Sequence, residues 1–259
     1  MKKLLLILLC LPMIGFGQQT YVPDDNFEAY LENNGMGNGI LNDDYVTTAN
    51  INTVISLGVA YESIADLTGI EDFTSLTFLG CNDNQLTSLD VSNNILLNTL
   101  WCSWNQLTTL DVSQNTNLTS LWCYDNQLTS LDVSNNTFLD ILSCENNNLI
   151  NLDIRNGNNI IITKFRCYNN PIFSCINVDD SLYSTNNWLD TSLAPNFSFD
   201  PQHYFSNNCP STTDLQEHTT NKELLKVTDL LGRETKGTKD EILFYIYDDG
   251  TVEKRIVIE

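Results

Sequence analysis

Residues 86–148 say nearly the same thing three times, and this repetition constrains the chain more than any other feature of it. In register they read LTSLDVSNNILLNTLWCSWNQ, LTTLDVSQNTNLTSLWCYDNQ and LTSLDVSNNTFLDILSCENNN. Cys81, Cys102, Cys123 and Cys144 recur every 21 residues, and Cys167 follows after 23. Leu86, Leu107, Leu128 and Leu149 keep the 21-residue step, as do Asp90, Asp111, Asp132 and Asp153. A fixed period of this length marks a solenoid, because each unit is too small to bury its own apolar face and must stack on its neighbours. Each unit also holds two halves, LxxLDVSxN and LxxLxCxxN, so a similar apolar pattern returns at half the period.

In LxxLxC the last leucine and the cysteine flank one outward residue, as a short strand requires. Asn84, Asn105, Asn126, Asn147 and Asn170 end these strands, where a side-chain amide can satisfy the backbone of the turn. Stacked coils then form an in-register parallel sheet rising about 4.8 Å per coil. The LxxLDV half is expected to add strands or strand-like runs on a second face. These motifs resemble leucine-rich repeats of the short bacterial kind with nested half-repeats, over about half of the chain. The resemblance implies a mainly β chain: a leucine-rich-repeat solenoid of parallel strands with little helix, N- and C-terminal caps, and a small C-terminal β domain. Proteins of this architecture are similar to bacterial adhesins and internalin-like surface proteins, which implies a binding role.

The expected order is a signal peptide at 1–17, an N-terminal cap at 18–50, the solenoid at 51–171, a C-terminal cap at 172–209, a linker at 210–221 and a last domain at 222–259. Met1-Lys2-Lys3 and the apolar run Leu4 to Ile14 have the form of a signal peptide, cleaved after Gly17. Cys10 lacks the small residue expected before a lipid-anchor cysteine, and no other segment is apolar and long enough to span a membrane. The protein is therefore expected outside the cell or on its surface. In the N-terminal cap, Asp25 with Glu28 fits a capping box for a helix through Phe27, Tyr30 and Leu31, ended by Gly35, Gly37 and Gly39. Such a helix can lie as a lid over the first coil.

Net charge sharpens the exclusions. The chain carries a formal charge of −21, with no Lys or Arg between Lys3 and Arg155, which rules out the basic face that nucleic acid requires. After Pro171 the pattern breaks, and Cys175 with Cys209 is the best disulfide candidate in an oxidising compartment. The five repeat cysteines instead occupy a small inward apolar position and are expected as buried reduced thiols. Strands at Leu224 to Leu230, Ile242 to Tyr247 and Val252 to Ile258 follow the linker, the last two joined at Asp248-Asp249-Gly250. Leu230, Leu231, Gly232 and Arg233, then Tyr245, Gly250, Lys254 and Arg255, resemble the C-terminal sorting domain read by the type IX secretion machinery. That resemblance implies passage across the outer membrane, removal of this domain, and attachment to the cell surface or release; with the signal peptide it makes export across both membranes the expectation. The domain is short for its kind, and Glu241 stands where a small residue is usual.

Two constellations carry candidate chemistry. Trp101 and Trp122 each follow an inward leucine by one position, so both face outward on one side, with Tyr124 and Tyr168 two residues further along their coils and Phe78 beside them. This set can be a stacking ladder between strands, or it can contact a protein or a sugar ring. The column Asp90, Asp111, Asp132 and Asp153 is expected outward, where neighbours about 4.8 Å apart repel by about 0.9 kcal/mol even in bulk water. Ca²⁺ can offset that, or the hydroxyls of Ser92, Ser113 and Ser134 and the charge of Arg155. Catalysis has little support: His203 and His218 stand apart, no hydrolase or phosphate-loop motif occurs, and no cofactor is implied. The expectation is a non-enzymatic binder of an extracellular protein, with a glycan module as the second reading and a structural surface component as the third.

Overall fold

The computed structural model describes residues 17–189, 196–210, 224–228, 242–247 and 252–256. The chain parts into two units, Met1–Cys209 and Pro210–Glu259. In the first, seven strands line up in parallel and in sequence order: Ser56–Gly58, Phe78–Gly80, Thr99–Trp101, Ser120–Trp122, Ile141–Ser143, Lys164–Arg166 and Phe197–Ser198. The register follows the repeat, with Leu57, Leu79, Leu100, Leu121, Leu142 and Phe165 directly opposite one another and all buried.

Each coil turns its Leu, Val and Cys positions into one continuous core. Cys81, Cys102, Cys123, Cys144 and Cys167 are free thiols and fully buried. Burial pushes the Cys81 thiol up to about 12 and the three after it well above the ordinary thiol value, with a bond to Cys167 the leading cause at Cys144. These groups therefore serve as packing rather than as nucleophiles.

The strand-ending asparagines do more than close their own turns. The Asn126 amide donates to the carbonyl of Cys123 in its own coil at 3.2 Å and to that of Cys102 in the coil before at 3.0 Å. Its Oδ1 accepts from the Leu107 amide at 3.0 Å. Asn84, Asn105, Asn147 and Asn170 repeat the arrangement, so one side chain per coil ties its coil to the preceding one. A second ladder, not anticipated from the sequence, runs through Asn94, Asn115 and Asn136. Asn115 donates to the Val91 and Asn94 carbonyls at 2.9 and 3.0 Å, and Asn136 to those of Val112 and Asn115 at 3.1 and 2.9 Å. In the coil of 23 residues the task divides: Asn156 reaches the Asn136 carbonyl while Asn159 closes on Ile154.

The second face departs from expectation. Four parallel strands form there, Ser130–Asp132, Asn151–Asp153, Cys175–Asn177 and Tyr204–Ser206, but residues 88–90 and 109–111 are not paired as strands. The nonapeptide LTSLDVSNN occurs at both 86–94 and 128–136, unpaired in the first and a strand in the second. Local sequence thus does not decide the outcome; the stacked neighbours do. Pairing extends from the C-terminal cap, where the Cys175–Cys209 disulfide joins Cys175 to the end of the unit, and it stops at Ser130.

Each end is closed differently. The N-terminal helix runs Asp25–Asn33, and its cap is Asp24 rather than Asp25. One Asp24 oxygen accepts from the Asn26 and Phe27 amides, both at 3.0 Å, and the other accepts from Ala65 and Asp66 at 2.8 and 3.1 Å, pinning the helix to the first coil. No capping box forms because Glu28 turns inward and accepts from the Asp43 amide at 3.1 Å, with burial raising its pKa. Phe27 stacks on Phe73 of the first coil at 6.3 Å. At the other end, helix Ser181–Trp188 places Trp188 against Phe165 and Phe205 at 5.6 and 5.3 Å.

The second unit shows one antiparallel sheet, Leu224–Thr228 beside Ile242–Tyr247 beside Val252–Ile256. Tyr245, Lys254 and Arg255 lie on these strands, whereas Leu230, Leu231, Gly232, Arg233 and Gly250 lie outside the described residues, as do 1–16 and 211–223. Among the described residues no helix is long and apolar enough to cross a membrane.

Replacing Asn126 by Ala leaves one buried amide and two carbonyls short of a partner. It is expected to cost about 3 kcal/mol in urea unfolding, against under about 0.5 kcal/mol for Gln127→Ala on the surface. Equal losses at the two positions would show that the ladder is dispensable.

Candidate functional site

The outward positions of the long sheet gather most of the sequence-predicted aromatic residues and one more. Phe78 meets Trp101 edge-on at 5.1 Å, Trp101 meets Trp122 at 6.1 Å, and Trp122 meets Tyr124 at 6.2 Å. Trp104 then joins through Tyr124 at 6.3 Å. The five rings form a connected row crossing three coils. Trp101 is 41% exposed and Trp104 52%. Tyr168 stands apart from the row and receives the Arg166 guanidinium instead, at 2.9 Å on its hydroxyl and 5.3 Å over its ring.

Trp104 was missed in the sequence, although a signal was present. The residue before each strand-ending asparagine has positive φ: Asp83 (57°), Trp104 (55°), Asp125 (52°), Asn146 (55°) and Asn169 (55°). Asp and Asn tolerate this left-handed conformation, whereas a bulky side chain pays about 1–2 kcal/mol for it. Tyr61, at the corresponding place one coil before Asp83, does the same at 64°. Strain of this kind, held where the side chain reaches solvent, points to a role for that side chain.

One short strand supplies charge. Lys164 lies across strand Ile141–Ser143 from Trp122, and its ammonium stands 4.1 Å from the Trp122 ring centroid. Trp122, Ser143 and Arg166 form one register row and Ser120, Ile141 and Lys164 the next, so Lys164 reaches Trp122 diagonally. Glu145, buried on the same face, accepts from Ser143 Oγ at 2.7 Å and pairs with Arg166 at 3.4 Å. Burial lowers the Lys164 pKa, and the Arg166 charge adds to that. The Trp122 indole N–H donates to Ser120 Oγ at 2.9 Å and fixes that ring.

The aspartate column lies on the opposite side and turns onto its own loops. Asp90, Asp111 and Asp132 accept from the amides of Ser92, Ser113 and Ser134 at 2.9, 2.8 and 2.8 Å. The Ser92 hydroxyl and amide hold the Asp90 carboxyl low, and the Ser113 amide and hydroxyl do so for Asp111. At Asp153 burial works upward, but the hydrogen bonds and charge of Arg155 outweigh it. Among the described residues, three carboxylates converge only at Asp25, Glu28 and Asp44, not along this column.

His203 is not isolated as the sequence implied. Closure of the C-terminal cap brings its Nδ1 to 3.7 Å from Cys167 Sγ. The same nitrogen accepts from the Asp200 amide at 3.2 Å, the ring is fully buried, and burial lowers its pKa. An enclosed imidazole beside a fully buried thiol packs the cap.

The fold is a leucine-rich-repeat solenoid. No family model matches the chain. It is 38% identical over 74 residues to internalin J of Listeria monocytogenes serotype 4b, a match covering 29% of this chain and 8% of internalin J. Among solved structures it is similar to the functional domain of InlJ from Listeria monocytogenes, described as including a cysteine ladder, with 35% identity, a TM-score of 0.52, and coverage of 62% of this chain and 38% of that one. An internalin, inlF, from the same species is 21% identical with a TM-score of 0.44, over 69% of this chain and 56% of that one. The chain thus spans well under half the length of internalin J and of its structured domain.

Trp104→Asn is expected to raise stability by about 0.5–1 kcal/mol, since it relieves the left-handed strain and loses one edge contact. Asn also extends a row in which Asn146 bonds Asp125 at 3.1 Å and Asn169 bonds Asn146 at 2.7 Å. A fall in the thermal midpoint would show that Trp104 is a packing residue.

Proposed function

We propose that this chain is a non-enzymatic binding protein that recognises a protein partner through the outward face of its long sheet, with Trp101, Trp104, Trp122 and Tyr124 at the centre. The observation that carries this reading is the outward aromatic row, half-buried but for exposed Trp101 and Trp104, with Trp104 held in a strained backbone conformation. Binding hot spots are enriched in Trp, Tyr and Arg, and this face supplies all three beside one another. Ring orientation favours a protein over a glycan. Successive rings are inclined at 80°, 58°, 61° and 83°, so they offer edges and clefts rather than the flat platform on which sugar rings stack. Similarity to internalin J supports a binding role, and the enclosure of His203 and the cysteines gives catalysis no foothold.

Protein and glycan arrays probed in parallel with the full chain and with the Trp101→Ala/Trp122→Ala variant test the reading. Protein signals lost in the variant are expected. Glycan signals lost in the variant would replace it with the carbohydrate reading, and self-association in place of either would favour a structural surface component.

Export to the cell surface or medium is part of the same proposal, supported by the N-terminal run and by the likeness of residues 222–259 to a type IX sorting domain. A reporter placed between residues 1–17 and residues 210–259 is expected outside a type IX-competent host. Secretion undiminished by Gly232→Ala/Arg233→Ala would sink the sorting assignment.

A further inference from the structure

Between Gln18 and Cys209 the chain has three basic side chains, Arg155, Lys164 and Arg166, and two of them stand on one strand of the aromatic face. Arg155 is engaged with Asp153 on the other side, and Arg166 with Glu145 and Tyr168. Lys164 differs. Its ammonium is held over Trp122, yet among the described residues it has no carboxylate partner, although the chain has 33 acidic residues. The nearby Glu145 is already occupied by Ser143 and Arg166. A half-buried cation over half-buried Trp122, with exposed Trp101 beside it, is a seat for an anion, because a charge-assisted hydrogen bond gains strength where water is thinned by apolar rings.

We propose that the partner presents a carboxylate, on Asp or Glu, next to an apolar or aromatic side chain. The carboxylate seats on Lys164 while its neighbour packs on Trp101 and Trp122. This inference rests on the protein-binding reading and specifies the chemistry of the partner. The setting also limits the partner to a lone acidic group. A formal charge of −21 repels a polyanion, whereas a single carboxylate within contact distance of Lys164 feels the local cation most strongly. The acidic surround favours basic residues elsewhere in the same segment.

The test is selection of a random dodecapeptide library, displayed on phage, against the immobilised full chain, followed by affinity measurements on the enriched peptides. Expected peptides carry one Asp or Glu beside Trp, Tyr, Phe or Leu. Lys164→Met, which keeps the stem over Trp122, is expected to weaken them about tenfold without moving the thermal midpoint. Lys164→Glu combined with the peptide's Glu→Lys should recover part of that loss, as a double-mutant cycle requires of a direct pair. Peptides that need Trp101 and Trp122 but lack a carboxylate and ignore Lys164→Met would overturn this inference and leave the binding face standing. Peptides indifferent to Trp101→Ala/Trp122→Ala, or no enrichment over that variant, would overturn both.

Discussion

One side-chain amide per coil, donating to two carbonyls and accepting from one amide, is the interaction on which the rest of this structure depends. Parallel strands three residues long leave most of each coil's backbone in turns, and buried turns need partners for every N–H and C=O. Asparagine meets that need in both directions at once. Because each amide reaches a carbonyl of the coil before it, the ladder sets register as well as satisfaction: a slip of one residue would unseat every rung. The leucines supply the driving force for stacking, but apolar contacts alone tolerate sliding. The asparagines do not.

Most of the scaffold was legible because a solenoid writes its contacts into its period. The step from Cys81 to Cys144 gives the coil length, the LxxLxC spacing gives the strand, and the register of Leu79, Leu100 and Leu121 follows directly. What escaped reading depends on neighbours rather than on local sequence. The same nonapeptide lies in an unpaired run at 86–94 and in a strand at 128–136, so no inspection of those residues alone could separate the two. The helix cap fell one residue before its expected place because Asp24 serves the helix and the first coil together. His203 met Cys167 only through the folding of the cap, which no spacing in the chain encodes.

The candidate site divides along the same line. Trp101, Trp122 and Tyr124 were found by parity, since the pleat alone decides their side. Trp104 was not, because it occupies a turn where parity gives no direction; the exchange of a recurrent Asp or Asn for Trp was the clue. Lys164 entered through a diagonal reach across strand Ile141–Ser143, which the spacing of its own coil does not reveal. The face is thus assembled from positions the scaffold leaves free, and its most exposed member occupies a conformation that the scaffold would fill better with asparagine.

The two asparagine ladders treat the 21-residue coils alike, and this bears on how such a chain changes over generations. A gain or loss of 21 residues joins one coil to the next with the same bonds available at the seam, so unequal recombination between repeats yields a folded product. The surface does not follow the period: Trp, Ser and Arg succeed one another at equivalent positions. Whole-coil exchange therefore leaves the frame intact while it reshuffles what the frame displays, and lineages of this architecture can alter recognition without first solving a folding problem.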